Sequence, residues 1–130
     1  MSKRREKEII MTKDGVEDIV KRYSYIGQAM KDGKETAVFY IGRRKQVVDI
    51  TEETIAVCKI IEEIYSHANE WVRNMIDGLK KGKSDMTLIC MLPWERNAYY
   101  ARKRKFIEKI YNCCIFQDMV DYDDILNEEI

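Results

Sequence analysis

The chain has 130 residues, of which 45% are hydrophobic and 35% charged, a balance that predicts one folded, soluble domain and excludes a disordered polymer. Its 23 basic and 23 acidic residues cancel, which at first argues against binding to a charged polymer such as nucleic acid. No apolar run is long enough for a membrane span or a signal peptide, so we expect a cytoplasmic protein without membrane contact.

The charges are distributed unevenly along the chain, so the net charge of zero does not argue against a basic surface. Residues 81–112 carry eight basic and three acidic side chains, a net charge of +5, whereas residues 113–130 carry six acids and no base. The second half of the chain is therefore strongly dipolar, and its basic part is a candidate for contact with phosphates.

The first elements are predicted to be a helix and a β-hairpin. Apolar residues spaced by three and four over residues 13–31 predict one amphipathic helix, which Gly33 ends by taking a left-handed conformation. Two runs rich in β-branched and aromatic residues follow, at about 36–41 and 44–50, with Gly42 and Arg43 between them as a tight turn.

A long apolar stripe follows the hairpin. Thr51 is a candidate cap for a helix that begins at residue 52. The stripe consists of Val57, Ile61, Ile64, Ala68, Trp71, Met75 and Leu79. It fits either one helix of nearly thirty residues or two helices separated near residues 66–69, and either a face turned to the core or the seam of a coiled-coil dimer.

Residues 84–112 are predicted to form a helix-turn-helix unit. Ser84 can cap a short apolar helix over about 85–92, which Pro93 ends, and Trp94 lies in the turn. A second helix then runs from Glu95 or Arg96 to about residue 115. A short helix followed through a tight turn by a basic one is the unit that places its second helix in the DNA major groove.

The second helix has two faces. One sector holds Tyr99, Tyr100, Phe106, Ile107 and Ile110 together with Lys103, and it should face the core. The opposite sector holds Asn97, Ala101, Arg104, Lys105 and Glu108, with Ala98 and Arg102 beside it. An asparagine can read adenine, and arginine can reach guanine or phosphate. The candidate DNA-binding residues are Arg96, Asn97, Ala101, Arg102, Arg104, Lys105, Lys81 and Lys83.

Residues 84–107 resemble the helix-turn-helix of sigma-factor region four and, more closely, small phage regulators of the ArpU and RinA type. The resemblance is carried by Ser84 at the helix opening, by Leu88, Ile89 and Leu92 on its inner face, and by residues 93–95 in the turn. Ala98 and Tyr99 match the anchors of the second helix, and Phe106 its late apolar position. The resemblance implies a phage or prophage transcriptional regulator of late genes, with double-stranded DNA and RNA polymerase as partners.

The expected fold is mainly α with one β-hairpin, a single domain whose C-terminal helix-turn-helix packs on a long central helix. It divides into residues 1–51 with the first helix and hairpin, residues 52–116 with the DNA-binding part, and the acidic segment 117–130. That segment is predicted to be a helix that docks on polymerase, folds over the basic face, or is simply solvated. The hairpin and the central stripe are candidate surfaces for a homodimer or for contact with RNA polymerase.

Two other functions remain open. One is a small phage-encoded protein-interaction module that acts on a host protein without binding DNA, and the other is RNA binding with Trp94, Tyr99 and Tyr100 as stacking platforms. An enzyme is not expected, because His67 has no partner spaced to build a nucleophilic site and no glycine-rich phosphate loop occurs. The four cysteines, Cys58, Cys90, Cys113 and Cys114, contain no CxxC pair, so we expect buried reduced thiols and neither metal nor cofactor.

Overall fold

The computed structural model describes residues 12–116, 122–127 and 129–130. This part of the chain is mainly helical and contains one antiparallel hairpin, which confirms the predicted α+β class. In chain order its elements are α1 Lys13–Lys21, α2 Tyr23–Lys31, β1 Thr36–Ile41, β2 Arg44–Asp49, α3 Glu52–His67, α4 Glu70–Lys80, α5 Asp85–Met91, α6 Arg96–Phe116 and α7 Tyr122–Asn127. None of the helices in these ranges is both long and apolar enough to cross a membrane.

The single helix predicted for residues 13–31 is wrong, because the chain breaks it at Arg22. This residue has φ −102° and ψ 9°, which separates α1 from α2. The break turns α2 toward the hairpin, where the ring of Tyr25 stacks on that of Phe39 with 4.3 Å between centroids. Gly33 ends α2 at φ +71°, as predicted, and the Lys34 amide donates to the carbonyl of Ala29 at 2.9 Å.

The hairpin forms at the residues predicted from the sequence. β1 and β2 pair antiparallel, and the two-residue loop takes a positive φ of 62° at Gly42, which glycine adopts without strain. Its inner face buries Ala37 and Phe39 against α2, whereas Val38, Tyr40 and Val47 on the outer face are exposed.

The central stripe belongs to two helices, which confirms the interpretation with a break near residues 66–69 and shows that the single long central helix expected for the fold is wrong. α3 ends at His67, and the Asn69 side chain caps α4 by accepting from the Val72 amide at 2.9 Å. The stripe members Val57, Ile61, Ile64, Met75 and Leu79 are buried. Ala68 is half-buried, and Trp71 is exposed at 47%. Most of the stripe therefore serves the core of one chain.

The core lies between α3 and α6, with α1 and α7 packed against them. Cys58 and Cys113 are buried as predicted, and burial, aided by nearby Glu62, raises the pKa of Cys58 to about 11. The prediction of burial is wrong for Cys90, which is exposed. Cys90 lies two residues after the buried Leu88 on a helix of two turns, so it points away from the face that packs.

Gly78 allows α5 to approach α4. A Cβ placed on Gly78 would lie 2.2 Å from Cδ2 of Leu88, whose side chain is 1% exposed. Real Cβ atoms do not come this close, so the absence of a side chain at residue 78 is what lets Leu88 anchor α5.

We predict opposite effects of the same substitution at two helical glycines. Gly78→Ala should lower the free energy of unfolding by about 1–2 kcal/mol, because overpacking Leu88 outweighs the better helix propensity of alanine. Gly27→Ala should raise it by about 0.5–1 kcal/mol, because the nearest atom to its added Cβ is 4.0 Å away. Urea unfolding followed by circular dichroism measures both, and equal effects at the two sites would contradict the packing argument.

Candidate nucleic-acid interface

α5, the turn after it and the first turns of α6 follow from local signals in the sequence. The Ser84 hydroxyl accepts from the Thr87 amide at 3.2 Å and caps α5. Leu92 is extended with ψ 155°, which Pro93 imposes on the residue before it, so α5 ends at Met91. α6 then begins at Arg96. Both boundaries agree with the sequence prediction to within one residue.

A cluster built on Asp85 and Lys103 joins three helices. The Asp85 carboxylate accepts from the Tyr99 hydroxyl at 2.6 Å and from Lys103 Nζ at 3.0 Å, so the first turn of α5 is tied to the first two turns of α6. The same Lys103 ammonium lies 3.2 Å from Glu17 Oε2 on α1. Since the Lys103 side chain is only 13% exposed, these bonds are shielded from competing water.

The protonation states of this cluster follow from its geometry. Burial alone would raise the pKa of the Asp85 carboxyl, but hydrogen bonds from Tyr99 and Lys103 outweigh it and hold the pKa below its ordinary value. Burial and the bond to Asp85 raise the pKa of Tyr99. Burial would lower the pKa of Lys103, but its bonds to Asp85 and Glu17 raise it. At neutral pH the carboxylate is ionised, and both the phenol and the ammonium donate to it.

Sequence reasoning placed Lys103 in the core sector but gave it no partner. A signal was available, because a lysine at a core position needs a carboxylate to compensate its burial. Asp85 and Glu17 supply that compensation. The Lys103 ammonium is consequently paired with carboxylates within the fold.

The outward side of α6 is open. Arg96, Asn97, Arg104 and Lys105 are exposed, and Ala101 is partly exposed between them. Within the described ranges, none of the three cations among these residues forms an ion pair. The basic charge of this face is thus available to an external partner.

Arg102 takes a different position. Its guanidinium carbon lies 4.5 Å from the centre of the Trp94 ring, a cation–π contact that links α6 to the turn before it. Trp94 itself is half-buried. Arg102 therefore braces the turn, while its partial exposure leaves hydrogen-bond donors at the edge of the outward face.

Lys81 and Lys83 are exposed in the link between α4 and α5. Gly82 between them has φ +74°, and the Lys83 amide donates to the Gly78 carbonyl at 3.0 Å. Lys83 Nζ lies 3.8 Å from the Met91 sulfur. The structure places these lysines beside α5 and not on α6 itself.

One border of the basic face carries acids, of which Asp14 and Glu17 on α1 were not anticipated from the sequence, whereas Glu108 on α6 was. A groove of about 420 Å³ between α1 and α6 is lined by Asp14, Glu17 and Glu108 as well as by Lys13 and Arg104. Lys13 Nζ lies 3.1 Å from Glu108 Oε2 and closes one end of the groove with an ion pair. The face open to a polyanion is therefore bounded on the side of α1.

Two further predictions concern the aromatic residues and the acidic segment. Tyr99 is fully buried, which rules it out as a stacking platform for RNA. In the acidic segment a helix forms at α7, whose Leu126 is buried in the core cluster, so this part is not a freely solvated helix. The remainder, 117–121 and 128, lies outside the described residues, so the predicted cover over the basic face stays a prediction.

We predict that Asp85→Asn lowers the free energy of unfolding at pH 7 by about 1–2 kcal/mol, because the charged acceptor of two hydrogen bonds is lost from a partly exposed site. The folded state lowers the pKa of Asp85 below the ordinary value of 3.8, so its contribution is present above that pH and disappears as the pH falls below it. The gap between wild type and variant should therefore shrink in acid.

Asp18→Asn is the matched control, since Asp18 is exposed on α1 and the same charge is removed. Its effect should stay within about 0.5 kcal/mol at every pH. Urea unfolding measured between pH 3 and pH 7 gives the comparison, and a gap for Asp85→Asn that is independent of pH would refute the assignment.

Comparison of the chain with protein-family models, with curated proteins and with solved structures gave no match. The function is therefore inferred from the geometry of this chain.

Proposed function

We propose that this chain is a sequence-specific DNA-binding transcriptional regulator, with α5 and α6 acting as a helix-turn-helix and α6 entering the major groove. The observation that carries the proposal is the outward face of α6, where exposed Asn97, Arg104 and Lys105 stand together and the cations lack ion pairs within the described chain. Such a face supplies both the phosphate contacts that provide affinity and the side chains that read bases.

Each residue of the face has a distinct role in the proposal. Asn97, in the first turn of α6, is placed to bond the N6 and N7 edge of an adenine. Ala101, one turn later, is small enough for the helix axis to come close to the base pairs. Arg104 and Lys105 contact phosphate or guanine, and Arg96 contacts the backbone at the end of the helix.

This helix is supported by both polar and apolar contacts. Asp85 fixes α6 to α5 through Tyr99 and Lys103, and Leu88 fixes α5 to α4 at Gly78. A recognition helix held in this way does not need to order on binding, which lowers the entropic cost of association. Lys81 and Lys83 flank α5 and would hold the adjacent phosphates. The phage resemblance extends the proposal to late genes and to contact with RNA polymerase.

We predict that Arg104→Ala with Lys105→Ala weakens binding to duplex DNA and reduces its salt dependence. Removal of two phosphate contacts should make the slope of log affinity against log salt shallower by about two. Fluorescence anisotropy of a labelled duplex, titrated over a range of salt concentrations, measures both quantities.

The control is Lys31→Ala with Lys34→Ala, which removes the same charge from the end of α2 and the turn before β1, outside the proposed interface. It should leave the slope unchanged. Equal losses of affinity in the two double variants would show that only net charge matters. If the wild type does not bind duplex DNA at low salt, the proposal is wrong.

We predict that Asn97→Ala changes specificity more than affinity. Selection of bound fragments from a random duplex library should give a consensus for the wild type, and the variant should lose the preference for adenine at the position that Asn97 reads, a discrimination of about 1–3 kcal/mol. An unchanged consensus would remove Asn97 from base reading without affecting the phosphate contacts of Arg104 and Lys105.

A further inference from the structure

The hairpin leaves one edge of β2 available for backbone pairing. The Ile50 amide donates to the Glu35 carbonyl at 2.8 Å, and bonded pairs alternate along an antiparallel ladder, so Val48, Gln46 and Arg44 also bond to β1. The amides and carbonyls of the residues between them, 45, 47 and 49, therefore point away from β1, and among them the Asp49 carbonyl accepts a long hydrogen bond from the Thr54 hydroxyl of α3 at 3.4 Å. No third strand pairs with the hairpin among the residues that the structure describes.

The side chains of this edge form a short self-complementary pattern. Lys45, Val47 and Asp49 alternate along the outer face of β2, and all three are exposed, with Val47 at 56%. Neither Lys45 nor Asp49 has an ion pair within the described part of the chain. The order is cation, valine, anion, so an antiparallel copy of the same strand presents anion, valine, cation.

We propose that two copies of this chain form a symmetric dimer by antiparallel pairing of their β2 edges, centred on Val47. Val47 then faces Val47 of the second copy as a bonded pair, and Lys45 of each copy faces Asp49 of the other. A two-fold axis perpendicular to the sheet requires directly opposite residues to lie on the same face, which this register satisfies. The result is a four-stranded sheet in the order β1, β2, β2, β1.

Two features favour a second copy as the occupant. The backbone groups that this register joins are those of residues 45, 47 and 49, the same ones that point away from β1, and the Asp49 carbonyl keeps a second lone pair for the bond across the dimer. The side-chain charges match as well, because each dimer gains two pairs of opposite charge directly across the new ladder.

The β1 edge is a poorer site for the same pairing. Its outer residues are Thr36, Val38 and Tyr40, so an antiparallel copy centred on Val38 would place tyrosine opposite threonine without charge pairs. β1 is also the strand against which α2 packs. The β2 edge thus offers complementary charges to a second copy, which the β1 edge lacks.

Proline substitution distinguishes the two edges. Val38 and Val47 are opposite each other in the hairpin, and the amide of each points out of it on a different side. Val47→Pro should remove the central bonds of the dimer and weaken self-association by roughly tenfold or more, whereas Val38→Pro should leave it unchanged. Sedimentation equilibrium without DNA measures the mass against 15.5 kDa for one chain, and circular dichroism confirms that both variants fold.

Charge exchange provides a second measurement that does not depend on proline. Lys45→Asp or Asp49→Lys alone places like charges across the interface and should weaken the dimer, and the double exchange should restore it. Their neighbours within the hairpin, Tyr40 and Thr36, are uncharged, so these changes leave the internal pairs of the hairpin neutral.

A wild type that stays monomeric up to millimolar concentration would overturn the proposal. So would a dimer weakened by Val38→Pro and not by Val47→Pro, or one that the double exchange fails to restore. Since none of these measurements involves DNA, they test the dimer independently of the proposed DNA binding.

Discussion

The carboxylate of Asp85 is the constraint on which the arrangement of α1, α5 and α6 depends. It accepts two hydrogen bonds from α6, and one of the donors, Lys103, also reaches Glu17 on α1. The cluster consists of a lysine, a tyrosine and carboxylates that are mutually satisfied and mostly shielded. Removing one charged partner from the cluster leaves an uncompensated charge. The position of α6 is therefore held by polar contacts as well as by apolar packing.

A second cluster with the same chemistry holds the other half of the molecule. The Tyr23 hydroxyl of α2 donates to Glu62 of α3, and Lys80 of α4 lies 2.9 Å from the same carboxylate. The Lys80 ammonium also lies 4.5 Å from the centre of the Tyr23 ring. Tyrosine and lysine converging on one acid thus fix α2, α3 and α4, which is how a chain rich in charge builds specific contacts at the rim of a modest apolar core.

Local signals in the sequence predict local structure well. Thr51 and Ser84 cap helices where expected, Gly33 and Gly42 take positive φ, and Pro93 ends α5. These features depend on a few neighbouring residues, so they can be read from a short stretch. The break between α3 and α4 was one of two alternatives, and the cap at Asn69 decides between them.

Features that depend on distant partners were not predictable in the same way. The break at Arg22 follows from the position of the hairpin, where Arg22 and Tyr25 meet Phe39. Exposure of Cys90 follows from which side of α5 meets Gly78. The candidate DNA-binding residues were identified because their face is polar in sequence, whereas Asp14 and Glu17, two of the acids that border it, come from α1 and could not be assigned to this border from the sequence.

The two proposals impose a geometric requirement on each other. A dimer with a two-fold axis through β2 presents two copies of α6 related by that axis, so the bound DNA must carry half-sites with the same symmetry. Two recognition helices reach the same side of B-DNA when they are about 34 Å apart or a multiple of it, because the major groove returns once per helical turn. If pairing at Val47 set another spacing, a dimer could engage only one half-site, and the β2 edge would then serve assembly of the protein and not recognition of an operator.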